Sequence, residues 1–154
     1  MEVRRPADDL FSVYFLLLLV YKQAMHQTSK IFAVIGAFSM ALAIGLGAFG
    51  AHVLRGSLTP NMLAVYQTAV LYHLVHSIGL FAVVQSAFFR PNAAVVKTAG
   101  WMMIGGMTFF SGSLYLLAAT GIRWLGIITP FGGTALIAAW LLLAAGLIRT
   151  GRRS

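Results

Sequence analysis

The chain contains no cysteine, so disulfides, thiolate nucleophiles and thiolate metal ligands are excluded, and the redox compartment stays open. Acid is almost as scarce. The carboxylate side chains are Glu2, Asp8 and Asp9, and none follows from Leu10 to Ser154. That absence excludes paired-carboxylate catalysis, carboxylate cages for hard cations and acidic proton relays through the main body of the chain. Charge of either sign is thin: 9% of the 154 residues are charged, where soluble domains carry about a quarter.

What is present is apolar. Hydrophobic residues make up 60% of the chain and the mean hydropathy is +0.88. Four runs from residue 31 onward carry little or no charge, bounded by Lys30, Arg55, Arg90, Lys97, Arg123 and Arg149. About 20 helical residues, rising roughly 1.5 Å each, cross a hydrocarbon core of about 30 Å. The runs are too long and too uniformly apolar for barrel strands. The sequence therefore predicts an all-α integral membrane bundle of four transmembrane helices, about 31–54, 60–89, 92–119 and 130–149. Thr59-Pro60 reads as an N-cap with proline at the first helical position, and the pair recurs at Thr129-Pro130. On that reading the fourth helix starts near Pro130 and residues 121–129 form an interfacial loop; the alternative is one helix from Trp124 kinked at Pro130. Asn92 is placed to cap the third helix.

Eleven basic residues against three acids give a formal charge of +8. The cations stand singly or in pairs between apolar runs, which does not make a nucleic-acid-binding face. Arg4, Arg5, Lys22, Lys30, Arg90, Lys97, Arg149, Arg152 and Arg153 fall on one side of a four-helix topology, and Arg55 and Arg123 on the other. Nine against two predicts both termini in the cytoplasm of a bacterial inner membrane. Residues 1–24 stand apart from the domain over 25–154. Leu10–Tyr21 is short for a span, and Asp8 and Asp9 make it a poor signal peptide. It is either an interfacial segment or an extension upstream of a translation start at Met25, and intact-mass measurement separates the two.

Glycines 45, 47 and 50 spell G-x-G-x-x-G, but inside an unbroken apolar run with no strand before it and no acid after it. The pattern implies no nucleotide. On a helix, Gly36, Ala43, Gly47 and Gly50 share a stripe, and Gly105 and Gly112 share another with Thr108. Small residues at such spacing let helix backbones approach closely in lipid. Tyr66, His73 and Ser77 lie on one line of the second helix, with His76 at its edge, and Ser111 lies in the third. Together they make a candidate polar path; the plainer role is interhelical hydrogen bonding. His52 and Arg55 mark a candidate outer-interface site. A haem would need a second histidine at the depth of His73 and His76, with only His52 or another subunit to supply it. A copper site could recruit Met102, Met103 and Met107, whose ordinary role is packing. No cofactor is implied.

Four ordered stretches carry a resemblance: "GAFGAHVLR" (Gly47–Arg55), "YQTAVLYHLVHSIGL" (Tyr66–Leu80), "FSGSLYLLAATG" (Phe110–Gly121) and "LGIITPFGG" (Leu125–Gly133). The chain resembles the small bacterial inner-membrane proteins of the domain of unknown function 423 family, itself similar to a small eukaryotic membrane protein group. Val53 and Arg55 depart from a glycine–lysine pattern there, keeping the charge and losing a glycine. The resemblance implies a four-helix membrane protein and a start near Met25, and no catalytic residues. The expected function is a non-enzymatic structural, accessory or assembly role in the bilayer, with possible self-association or a membrane-protein partner. The alternatives are a small-solute or proton transporter or channel using His73 and His76, and, more remotely, a haem or metal protein.

Overall fold

A computed structural model describes residues 6–89 and 93–148. It is all-α: α1 Pro6–His52, α2 Pro60–Phe89, α3 Ala93–Thr120 and α4 Leu125–Ile148, with one 3₁₀ turn at Leu54–Gly56. Four stretches are long and apolar enough to cross a membrane: Gln27–Gly56, which runs from α1 through the 3₁₀ turn, Pro60–Ala87, Ala94–Thr120 and Leu125–Ile148. An apolar chain without neighbouring strands can pair its backbone N–H groups only with its own carbonyls four residues back, which is the helix. Residues 90–92, with the suggested Asn92 cap, and the basic residues from Arg149 onward lie outside the described residues.

The helix ends follow local chemistry. Thr59 caps α2: its hydroxyl accepts the Met62 N–H at 3.3 Å and its carbonyl accepts the Leu63 N–H at 2.9 Å. Pro60 opens the helix at a position where no N–H is needed. Gly121 closes α3 with φ +70°, a left-handed conformation that favours glycine, and its N–H bonds to the Leu117 carbonyl at 2.8 Å. α1 is longer than its expected span. Its 47 residues reach about 70 Å, because no glycine or proline interrupts the sequence between Pro6 and Gly36. Residues 6–24 run into the rest of α1 without a break.

The expected start of α4 near Pro130 is corrected. The helix begins at Leu125 and carries Pro130 inside it. Its opening N–H groups bond three residues back, Leu125 to Ile122, Gly126 to Arg123 and Ile127 to Trp124, at 2.9–3.2 Å. Thr129 does not cap. Its hydroxyl pairs with Ser113 of α3 at 2.8 Å, a tertiary bond that the local Thr-Pro signal could not reveal. Proline is tolerated inside a membrane helix where neighbours compensate.

Each helix packs mainly against the next in sequence. α1 touches α3, and α2 touches α4, only briefly, and α1 and α4 do not lie side by side. With short connections, neighbouring helices run antiparallel. The core of Phe32, Leu80, Val83, Val96, Ala99, Met103, Met107, Leu136, Ala139 and Leu143 is contributed by all four helices. Large apolar side chains also cover the outside, such as Phe38, Phe131 and Leu141. Two close approaches hold the row together. Gly36 of α1 lies against Ser77 and Leu80 of α2, where an added Cβ would come within 3.2 Å of the Ser77 carbonyl oxygen. Gly132 of α4 lies on the α3 backbone, where a Cβ would run into Phe110 and stand 2.9 Å from the Gly106 oxygen.

Gly47 and Gly50 face Val70 and Tyr66 of α2, and Ala43 is fully buried. The expected stripe on α3 is corrected: Gly105 and Gly112 have nothing within 4 Å, and the close contacts of α3 are made by Gly100, against Phe32 of α1, and Gly106, against Leu136 of α4. Gly132→Ala is therefore expected to lower the unfolding free energy in detergent by about 1–3 kcal/mol through overpacking. Gly105→Ala should change it by less than about 0.5 kcal/mol. Equal stability of the two variants would contradict the assignment.

Candidate functional site: a polar seam and an aromatic seam

Two seams run between the helices. In the first, α1, α2 and α3 meet around His73. The His73 Nε2 lies 2.8 Å from the Ser39 hydroxyl of α1, and its Nδ1 lies 3.3 Å from the Tyr115 hydroxyl of α3. The Ser77 hydroxyl donates within its own helix to the His73 carbonyl at 2.7 Å and stands 2.9 Å from Ser39. Ser39 and Ser77 also face the Met107 sulfur, at 3.5 and 3.7 Å. Tyr66 extends the seam: its ring meets Tyr115 edge-on at 5.1 Å, and its hydroxyl donates to the Leu46 carbonyl of α1 at 2.8 Å.

Proton bookkeeping distinguishes the two tautomers of the neutral ring. The Tyr115 hydroxyl has no hydrogen-bond partner among the described residues other than His73 Nδ1. If Tyr115 donates there, the Nε2–H donates to Ser39 and the Ser39 proton goes to the Met107 sulfur. The opposite tautomer leaves the Tyr115 proton without an acceptor among the described residues. The arrangement thus runs Tyr115 to His73 to Ser39 to Met107, crossing three helices.

Ser111 sits on α3 one turn from Met107 and one from Tyr115, on the same face. It is buried, and its hydroxyl is the buried side-chain polar atom with no partner among the described residues.

His76 does not join this seam, so the expected line of Tyr66, His73, His76, Ser77 and Ser111 is split. One turn of helix moves its ring to the junction of α2, α3 and α4. There it stacks on Tyr72 at 5.8 Å and faces Trp140 at 6.3 Å, while Tyr72 leans on Phe110 at 4.3 Å. Its Nδ1 bonds to the Tyr72 carbonyl at 2.7 Å. His52 ends α1 and Arg55 lies in the 3₁₀ turn, both exposed. No group of three or more histidine or acidic side chains among the described residues could hold a metal ion. Of the methionines, Met103 is buried against Gly79, and Met107 serves the polar seam.

Sequence reasoning missed Ser39 and the role of Tyr115. Ser39 lies three residues after Gly36 and four before Ala43, on the small-residue stripe itself. A hydroxyl on the face that approaches a neighbour most closely was the available signal.

Residues 46–133 match the family described as protein of unknown function (DUF423). The chain belongs to this family. It is similar to the UPF0382 membrane protein YwdK of Bacillus subtilis, at 45% identity over 120 residues, covering 78% of this chain and 98% of that protein. A UPF0382 membrane protein of Staphylococcus saprophyticus is 41% identical over 120 residues, with the same coverage. One from Staphylococcus haemolyticus is 44% identical over 114 residues, covering 74% of this chain and 92% of that protein. No solved structure matches the chain. The lipid bilayer is therefore the environment of both seams.

Interhelical bonds of this kind contribute about 0.6 kcal/mol on average and up to about 1.7 kcal/mol in membranes. A double-mutant cycle of Ser39→Ala and His73→Phe, read by unfolding in detergent, is expected to give a coupling within that range. A coupling indistinguishable from zero would remove the bond from the account.

Proposed function

We propose that the chain is a non-catalytic integral protein of the bacterial cytoplasmic membrane, with a structural, accessory or assembly role and both termini in the cytoplasm. The observation that carries this reading is the state of His73. Both ring nitrogens are engaged, one by Ser39 of α1 and one by Tyr115 of α3. Its hydrogen-bonding capacity is spent on fastening helices together, which is how polar groups serve as glue in lipid. Tyr66 supports the same role by bonding to a backbone carbonyl of α1. The glycine contacts at 36, 50 and 132 support close packing as the basis of the scaffold. The apolar outer faces of α1 and α4, each at an end of the row, leave room for a second copy or another membrane protein. The orientation rests on the nine basic residues against two.

One observation favours a second reading, a small transporter or channel with Tyr66, His73, Ser77 and Ser111 along its path. It is the unpartnered Ser111 hydroxyl beside the polar seam. Proteoliposomes carrying the protein are expected to show the proton and small-solute flux of empty vesicles. Flux above that level, lost in a folded His73→Phe variant, would transfer the function to the second reading. Alkaline phosphatase fused after Ser154 is expected to be inactive in cells, and an active fusion would refute the cytoplasmic C-terminus.

A further inference from the structure

His76 is only 5% exposed, and the unpartnered side of its ring lies at that accessible edge, since Ser111 Oγ is the fully buried side-chain atom left without a partner among the described residues. The Tyr72 carbonyl can only accept, so the Nδ1 facing it at 2.7 Å carries the proton. The neutral ring must then present a lone pair at Nε2, and that nitrogen has no hydrogen-bond partner among the described residues. A backbone carbonyl holding Nδ1–H is the arrangement that fixes an imidazole with Nε2 ready to accept or to ligate. Around it stand Tyr72, Phe110 and Trp140, with ring centroids 4.3–6.3 Å apart along the chain of contacts. Tyr72 is 39% and Trp140 40% exposed, so this seam opens onto the bilayer. Gly79, one turn beyond His76, admits the Trp140 ring: an added Cβ would lie 3.1 Å from it.

These features select a ligand class. Stacking surfaces favour a planar ring over an acyl chain, since aromatic pairs gain beyond their buried area. The seam residues carry no charge, so the ligand is neutral. The acceptor at Nε2 calls for a donor, and the Tyr72 hydroxyl, also without a partner among the described residues, can meet a second oxygen. We propose that the α2–α3–α4 seam binds a membrane-dissolved planar ring bearing a hydroxyl, of the phenol or hydroquinone class. The hydroxyl donates to His76 Nε2 and the ring lies against Tyr72 and Trp140. The step is binding alone, with no bond made or broken.

The test uses the full chain in lipid nanodiscs with Trp101→Phe and Trp124→Phe, which leaves Trp140 as the reporter among three tryptophans. Decyl-hydroquinone, kept reduced under argon, is compared with its dimethyl ether, which has the same ring and tail but no donor. Quenching of Trp140 should saturate with the hydroquinone, and the ether should need about tenfold more, the factor one hydrogen bond supplies. His76→Phe should weaken the hydroquinone similarly, and His73→Phe should not. Equal quenching by the two probes, or quenching that never saturates, overturns the proposal without relying on any histidine variant. In wild-type protein labelled with ¹⁵N-histidine, the hydroquinone should shift the His76 Nε2 resonance towards its hydrogen-bonded position. A signal already there before the probe, and unmoved by it, assigns the acceptor to a neighbouring helix and also overturns the proposal.

Discussion

Hydrocarbon offers no hydrogen-bond partner, and every polar group this chain takes into the bilayer has to be answered by the chain itself. That constraint shapes the structure more than any single contact. The backbone answers it by forming helices. The side chains answer it at a few places, and they do so without a carboxylate, because none exists after Asp9. The uncharged side chains left for the purpose are histidine, tyrosine, tryptophan, serine, threonine, asparagine and glutamine, with the soft sulfur of methionine. The seam around His73 is built from this restricted set. Serine and threonine elsewhere bond to the carbonyl one turn back, as Thr68, Ser86, Thr108 and Thr134 do.

Short side chains make such bonds across helices only where the backbones are close. Gly36 stands against Ser77, and Ser39 reaches Ser77 and His73 one turn along. A larger residue at Gly36 would push α1 outward and lengthen every bond that Ser39 makes. The glycine contact and the polar seam are therefore one device: packing sets the distance, and hydrogen bonds fix the rotation of α1 about its axis. Between α3 and α4 the same logic operates with Gly132 and the Ser113–Thr129 pair. Hydrophobic contact alone could not specify these pairings, since lipid tails satisfy an apolar face as well as another helix does.

The sequence made the helices legible because uniform apolar length needs no tertiary context to interpret. The Thr59 cap was legible for the same reason, being a bond within one turn. Thr129-Pro130 presents the identical pair and means something else, because Ser113 claims the threonine hydroxyl. Nothing local distinguishes the two. The glycines divide in the same way. Spacing put Gly36, Gly47 and Gly50 on a stripe of α1 that has α2 beside it, and put Gly105 and Gly112 on a stripe of α3 with no neighbour within 4 Å. Periodicity reports which residues share a face and is silent on what the face meets. The histidines show the limit most clearly. A spacing of three turns the second ring by about 60° on a helix, enough to carry His76 into a different seam.

That rotation separates two chemistries on one helix. His73 is held at both nitrogens, so its ring is a fixed strut between Ser39 and Tyr115. His76 is held at one, so its orientation is set while its accepting side stays unclaimed among the described residues. A helix needing only glue would be served by satisfying both rings, because an unanswered acceptor at this depth costs free energy whenever no donor is present. Aromatic rings stand beside both histidines, Tyr115 edge-on to His73 at 6.0 Å and Tyr72 and Trp140 beside His76, but only at His76 do they border a nitrogen without a partner among the described residues, which places the cost where a ring from the bilayer could relieve it. The asymmetry between two histidines one turn apart is the feature that a purely structural role leaves without a reason.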